Sequence, residues 1–194
     1  MTGRKTAAMK SLVLLGGLGL GLASCSAEAP RSVIDQATVA LEQARSANEK
    51  GYAPEALDKA EEAYAAAMAE VETQADRLFL MRSYGTASEL LGQATAAAKE
   101  AKEQAEARRE EMQAESDTLI KDVQKRFESA EIVAEESRQP DAKATLEKAG
   151  AALFEAEKAF KAGDFLAAYE KAQDAQAFVE ALMTEASPAK RGET

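Results

Sequence analysis

The sequence contains no histidine and only one cysteine, so it lacks the side chains that carry most enzyme chemistry. Histidine is the commonest general base near neutral pH and the commonest transition-metal ligand. A single cysteine can form no internal disulfide, and thiolate zinc sites need more than one sulfur ligand. The sequence also lacks a Gly-rich phosphate loop and the Asp-rich loop of calcium sites. We therefore expect no catalytic residue, no metal and no cofactor, and we predict that the chain is not an enzyme.

Carboxylates are abundant, so a paired-carboxylate hydrolase is the enzyme class that the composition leaves open. Pairs such as Glu110-Glu111 lie on polar stretches without a pocket signature, and we interpret them as solvated helix faces. The formal net charge of −10 argues against nucleic acid as a partner. A carboxylate-dependent hydrolase is therefore the least favoured function for this sequence.

Proline and glycine are scarce, with 4 and 11 residues, and aromatic residues make up only 5% of the chain. Alanine, glutamate, lysine and glutamine dominate instead. These residues lose little free energy on entering a helix. The composition therefore predicts an all-α fold that is stabilised by helix packing alone.

The longest apolar stretch, residues 11–22, follows the cations Arg4, Lys5 and Lys10 and ends in small residues. A short apolar core behind positive charges is typical of a secretory signal rather than of a spanning helix. No later apolar run is long enough to cross a bilayer. The apolar stretch closes on Leu22-Ala23-Ser24-Cys25, which contains the chain's only cysteine.

This four-residue segment resembles the lipobox of bacterial lipoproteins. The resemblance implies cleavage between Ser24 and Cys25, a lipidated Cys25 thiol, and attachment to the membrane through acyl chains such as palmitate. Ser26, standing where an Asp would favour the inner membrane, indicates an outer-membrane location facing the periplasm. A buried cysteine in an apolar helix is the alternative. On the lipoprotein interpretation, residues 1–24 are a signal peptide and residues 25–31 a lipidated tether.

In the rest of the chain, apolar residues recur at spacings of three and four, which predicts amphipathic helices. We expect the first helix to begin at Ser32 and to end at Gly51, since glycine tolerates the left-handed conformation that ends helices. The second should begin at Pro54 and run to a point near Leu80. The third has two candidate starts, Ser83 and Thr86.

Large apolar residues nearly vanish between Lys99 and Glu115. We predict a solvated polar helix there, with a binding arm as the alternative. Ser116-Asp117 is expected to cap a fourth helix, Pro140 to restart the chain for a fifth, and Gly163-Asp164 to end the fifth and cap a sixth.

The apolar pattern occurs twice along the chain. The pair Ile34 and Val123 and the pair Leu57 and Leu146 have the same separation of 89 residues. Two copies of a three-helix unit explain this regularity. We predict two tandem antiparallel three-helix units, residues 32–104 and 117–185, joined by a polar helical connector, residues 105–116, and followed by a flexible tail, residues 186–194.

The first copy contains Ala44-Arg45, the run Gly51-Tyr52-Ala53-Pro54, and Tyr84 followed three residues later by Ala87. This set resembles an uncharacterised family of bacterial envelope lipoproteins with Ala-rich helical repeats. The resemblance implies a helical fold in the cell envelope and assigns no chemistry.

Tyr52 and Tyr84 both lie beside predicted turns. They are either rings that fill the ends of Ala-lined bundles or exposed partner-binding residues, since aromatic side chains dominate interface hot spots. The function that we predict is a lipid-anchored scaffold or adaptor presenting helical surfaces to other envelope proteins. The alternative is a periplasmic chaperone-like or carrier protein. The oligomeric state stays open.

Overall fold

A computed structural model describes residues 28–136 and 141–186, and within these ranges it contains α-helices and no strand, which confirms the predicted all-α fold. The predicted signal peptide (residues 1–24), Cys25, Pro140 and residues 187–194 lie outside the described residues. The described elements are α1 (Arg31–Ala47), α2 (Pro54–Ala75), a short 3₁₀ helix (Phe79–Met81), α3 (Gly85–Glu136), α4 (Ala142–Lys161) and α5 (Phe165–Ala186).

Helix α3 is the longest element, with 52 residues. At 1.5 Å per residue it spans about 78 Å. Its sequence contains no proline and is rich in alanine, glutamate, lysine and glutamine, so nothing interrupts its backbone hydrogen bonds. The predicted third helix, connector and fourth helix are therefore one continuous helix.

The predicted cap at Ser116-Asp117 is wrong, because Ser116 lies in the interior of α3. Its side chain is fully buried, and its Oγ donates a hydrogen bond to the Met112 carbonyl oxygen at 2.6 Å. A serine that bonds back to the carbonyl four residues earlier is accommodated inside a helix. The Ser116 hydroxyl, which is also suited to an N-cap position, thus finds its hydrogen-bond acceptor within α3.

The helices are arranged around α3 in two sections. Helices α1 and α2 pack mainly against its N-terminal half and only slightly against each other. We call α1, α2 and α3 up to Gln104 the N-terminal section. Helices α4 and α5 pack against the other half, and with α3 from Asp117 onward they form the C-terminal section. The two sections lie end to end along α3, so the molecule is elongated.

The core consists largely of alanine at helix contacts. The apolar faces that the spacing predicts are buried, including Leu41, Leu91, Val123 and Val179. Between these larger side chains, small residues such as Ala98 allow the helix backbones to approach closely. Because alanine buries little apolar area, each large core residue has a disproportionate share in stability.

The polar stretch between Lys99 and Glu115 is not the fully solvated helix that we predicted. Ala101, Ala105 and Met112 are each no more than 1% exposed. With Ser116 they continue the spacing of threes and fours along one face of α3, and this face is covered by the turns of both sections. Alanine carries too little hydrophobicity to make such a buried stripe visible in the sequence.

The turns at glycine and proline agree with the sequence analysis, although α1 ends at Ala47, four residues before Gly51. Gly51 and Gly163 have positive φ angles of 78° and 75°. Pro54 is the first residue of α2. Asp164 caps α5 as predicted, since its Oδ1 accepts a hydrogen bond from the Ala167 N–H at 3.2 Å.

Three other predicted boundaries shift. Helix α1 begins one residue before Ser32, so Ser32 is not its cap. Helix α2 ends at Ala75, well before Leu80. Helix α3 begins at Gly85, between its two candidate starts.

Candidate functional site

The predicted lipidation site, Cys25, lies outside the described residues, but the described chain begins only three residues later, at Glu28. Ala29 packs against an apolar cluster that includes Val71 of α2 and Tyr84 before α3. The point at which the chain enters the fold is therefore the same end of the molecule that carries the connection between α2 and α3.

Tyr84 is buried in this cluster, with 5% of its surface exposed. It packs among small and branched side chains from all three helices of the N-terminal section, including Ala37, Ala67 and Leu91. The ring fills the end of an Ala-lined bundle.

Tyr52 is also buried, at 7% exposure, but it lies between the two sections. Its ring packs with Ala105 and Met112 of α3 and with Phe165 at the start of α5. Its hydroxyl donates a hydrogen bond to the Gly163 carbonyl oxygen at 3.2 Å and accepts one from the Phe165 N–H at 3.2 Å. One side chain of the α1–α2 turn thus satisfies the backbone of the α4–α5 turn.

The burial of Tyr52 and Tyr84 corrects their interpretation as exposed partner-binding residues. Both rings lie beside turns, as predicted, but the helices close over them because the flanking core residues are mostly alanine. Neither ring offers a surface to a partner in this conformation.

We call the contact between these two turns the junction. The Lys50 Nζ lies 3.8 Å from the Asp164 Oδ2 across it. The Arg109 guanidinium lies 5.7 Å from the centroid of the Phe165 ring, within the range of a cation–π interaction. Phe165 also meets Phe160 edge to face, with ring centroids 5.2 Å apart. The junction is therefore a packed contact between two parts of the chain that lie far apart in sequence.

A cleft of about 560 Å³ opens beside the junction. Its lining carries cations, among them Lys50, Lys102 and Arg109, together with the carboxylates Glu49 and Glu106. Several of these charges are already paired, for example Lys102 with Glu106 at 3.5 Å. The cleft is thus an open, charged surface and differs from the largely apolar pockets that enclose small molecules.

Among the described residues, no buried polar side-chain atom lacks a hydrogen-bond partner, and no group of three or more metal-ligating residues is present. Two side chains there have raised pKa values. A hydrogen bond to Glu111 raises the pKa of Arg108, and a hydrogen bond to Asp174 raises the pKa of Lys171. Both are exposed pairs within one helix. These two pKa shifts are typical of ion pairs on a protein surface.

The connection between α2 and α3 was not predicted from the sequence, where α2 was expected to continue to a point near Leu80. We call residues 77–82 of this connection the apolar loop. Leu78, Phe79, Leu80 and Met81 are all exposed there. A signal existed in the sequence, since four consecutive large apolar residues cannot all face the core from one side of a helix.

None of the helices in the described ranges combines the length and hydropathy that a bilayer crossing demands. Comparison with protein-family models gave no match, and comparisons with curated proteins and with solved structures gave none either.

Proposed function

We propose that this protein is a lipid-anchored adaptor of the bacterial cell envelope, held to the outer membrane by acyl chains on Cys25 and facing the periplasm. The observation that carries the proposal is the shape of the molecule. Two helical sections lie end to end on one helix of 52 residues. A molecule of this shape that is anchored at one end presents its side surfaces at a distance from the membrane.

The position of Cys25 relative to the fold supports this arrangement. Glu28 follows Cys25 by three positions, so their Cα atoms lie at most about 11 Å apart. Lipidation of Cys25 would therefore bring the open end of the N-terminal section next to the bilayer. The C-terminal section would then lie farther from the membrane, along the length of α3.

The exposed side chains of the C-terminal section are the candidates for partner contact. Ile132 on α3 and Phe154 on α4 are more than 60% exposed, and Met183 on α5 is 41% exposed. Large apolar side chains at an interface contribute more to binding than the surrounding ion pairs do. These residues replace Tyr52 and Tyr84 as the proposed contacts with other envelope proteins.

The structure favours the adaptor over the chaperone-like or carrier function. A carrier needs an apolar cavity, and the cleft beside the junction is open and lined by charged residues such as Lys102 and Arg109. A second depression of about 660 Å³, lined by Leu119 and Tyr169 among others, is more apolar, but it is a shallow surface feature that does not enclose a client. A carboxylate-dependent hydrolase stays the least favoured candidate.

The lipid attachment is tested by labelling cells with radioactive palmitate. Wild-type protein should incorporate the label, and Cys25→Ser should lose it, because the thiol is the attachment point and no other cysteine exists. Equal labelling of both proteins would contradict the lipoprotein assignment.

The adaptor function is tested by placing a photocrosslinking amino acid at Ile132 or Phe154 in intact cells. Glu103, an exposed charged residue on α3, is the matched control position. We expect one or a few discrete adducts from the two apolar positions and none from the control. A broad smear of adducts would favour the chaperone-like function, and no adduct from any position would contradict both.

A further inference from the structure

The apolar loop concentrates exposed apolar surface at one end of the molecule. Leu78 is 76% exposed, Phe79 62%, Leu80 94% and Met81 66%. Within the described ranges, these are four of the eight large apolar side chains that are exposed. Contiguous exposed apolar surface on a soluble domain marks an interaction site.

The loop is an ordered element that holds these side chains outward. Its centre is a 3₁₀ turn in which the Met81 N–H donates to the Leu78 carbonyl oxygen at 2.7 Å. The Arg82 Nε donates to the Arg77 carbonyl oxygen at 2.9 Å and closes the base of the loop.

Gln74 at the end of α2 attaches the loop to the bundle. Its side chain is buried, with 4% exposure, and its Oε1 accepts a hydrogen bond from the Ser83 N–H at 3.0 Å. Its Nε2 donates to the Glu70 Oε1 at 2.7 Å. The exposure of the loop tip is therefore built into the fold and does not come from a frayed helix end.

The apolar loop lies at the end of the molecule where the chain leads to Cys25. Tyr84, two residues after the loop, shares an apolar cluster with Ala29. Ala29 is four residues from Cys25, and the described chain begins within about 11 Å of that cysteine. Acyl chains on Cys25 would place the loop tip directly against the same bilayer.

The charges at the loop suit a phospholipid surface. Arg77 and Arg82 flank the apolar tip, whereas at the start of the described chain the charges of Glu28 and Arg31 cancel. Asp76 precedes the loop, so the cations outnumber the acids from Asp76 to Arg82, in a chain whose formal net charge is −10. Basic residues beside an apolar tip attract anionic lipid headgroups while the tip enters the interface.

We infer that the apolar loop is a second membrane contact, which inserts Leu78, Phe79, Leu80 and Met81 into the headgroup region of the phospholipid bilayer. The inference rests on the proposed attachment at Cys25, which supplies the orientation. A single point of attachment leaves a protein free to rotate about it. A tether together with an inserted loop fixes which end of the helical bundle lies on the membrane.

The test uses the full-length acylated protein in vesicles of phosphatidylethanolamine and phosphatidylglycerol. Since the chain has no tryptophan, Phe79→Trp introduces a single fluorescent reporter at the loop tip. Phe154→Trp is the matched control, because Phe154 is equally exposed but lies in the C-terminal section. Lipids with brominated acyl chains quench a reporter that has entered the bilayer. We expect a blue shift and strong quenching at position 79 and neither at position 154.

A second pair of variants tests the role of the apolar tip, with the Phe79→Trp reporter present. Leu80→Glu should lower the ratio of inserted to solvent-exposed loop by about tenfold or more, since removing one leucine from an apolar phase changes a partition constant by at least that factor. Val39→Glu, at an exposed apolar residue of α1 outside the loop, should leave the quenching unchanged. Circular dichroism of each variant checks that the helices are intact.

The outcomes separate this inference from the proposed function. Palmitate incorporation without quenching at position 79 would overturn the inference and leave the lipid attachment standing. Quenching without palmitate incorporation would support loop insertion and contradict the attachment at Cys25. A concentration-dependent blue shift in the absence of lipid would show that a second copy of the chain covers the loop, and would overturn the membrane contact.

Discussion

The Tyr52 hydroxyl is shared between the two sections of the molecule. It accepts a hydrogen bond from the Phe165 N–H and donates one to the Gly163 carbonyl oxygen, both at 3.2 Å. The N–H of Phe165 is buried, so removal of the hydroxyl would leave this N–H without a hydrogen-bond acceptor. A buried donor left unpaired costs more free energy than an average hydrogen bond contributes.

We predict that Tyr52→Phe lowers the free energy of unfolding by about 1–2 kcal/mol. Tyr64→Phe is the matched control, because the Tyr64 hydroxyl pairs with Thr38 Oγ1 inside the N-terminal section. Thr38 also bonds to the Ile34 carbonyl oxygen, so the control should cost only about 0.5–1 kcal/mol. Urea denaturation followed by circular dichroism measures both, and an equal loss in the two variants would contradict the role of Tyr52 at the junction.

The sequence could place Tyr52 and Tyr84 beside turns but could not decide whether they are buried. The groups bonded by the Tyr52 hydroxyl lie more than one hundred residues away along the chain. Spacing within a helix carries no information about such a distant contact. The lipidation of Cys25 is a different case, since it depends on the local segment alone and stays a prediction.

At the scale of the element, the stripe of small buried residues on α3 decides how the helices meet. Ala101 and Ala105 have 1% and 0% of their surface exposed, and turns from both sections pack over this region. A protein interior at crystal-like density has no room for additional methylene groups. The stripe therefore fixes the distance between α3 and its neighbours.

Ala105→Leu should lower the free energy of unfolding by about 1–3 kcal/mol through overpacking. The matched control is Ala107→Leu, two residues farther along the same helix and exposed, which should be nearly neutral because leucine and alanine both favour helix. Denaturation midpoints at constant slope give the difference. If residues 105–116 were a solvated connector, the two substitutions would have the same effect. Equal denaturation midpoints would therefore contradict the buried stripe.

Most elements were predictable, and each failure has a local physical reason. The spacing of apolar residues identified the buried faces, and glycine and proline marked the turns at Gly51, Pro54 and Gly163. The end of α2 at Ala75 has neither glycine nor proline beside it, so the sequence pattern extended the predicted helix into the apolar loop. The predicted cap at Ser116 was wrong for the opposite reason, because a residue type that is common at N-caps lies in the middle of α3.

At the scale of the whole molecule, α3 is the common axis of both sections. The offset of 89 residues predicted two copies of one unit, and the structure joins the predicted third and fourth helices into one continuous helix. The sections are therefore not independent units joined by a separate linker. Their relative orientation is set by the backbone of α3 and by the contacts of the junction.

The continuity of α3 predicts a long distance between spin labels at Glu89→Cys and Glu128→Cys. Both positions are exposed, and at 1.5 Å per residue the backbone separation is about 58 Å. A Cys25→Ser background removes the natural thiol. Pulsed dipolar spectroscopy should give one narrow distribution near this value.

Labels at Glu89→Cys and Glu110→Cys, which stop short of Ser116, should lie about 31 Å apart and serve as the control. A short or broad distribution for the longer pair alone would indicate a break at Ser116.

The place of α3 in both sections also determines which backbone amides are slowest to exchange their hydrogens with solvent. Local opening can release α1 and α2, or α4 and α5, while the other pair keeps its contacts. Amides in the middle of α3, around Ala105 and Met112, are covered by the junction and belong to both cooperative units. We therefore expect them to exchange only when the whole molecule opens, so that their protection reports the global stability. Among the described residues, the stretch with the fewest large apolar residues should then be the most protected.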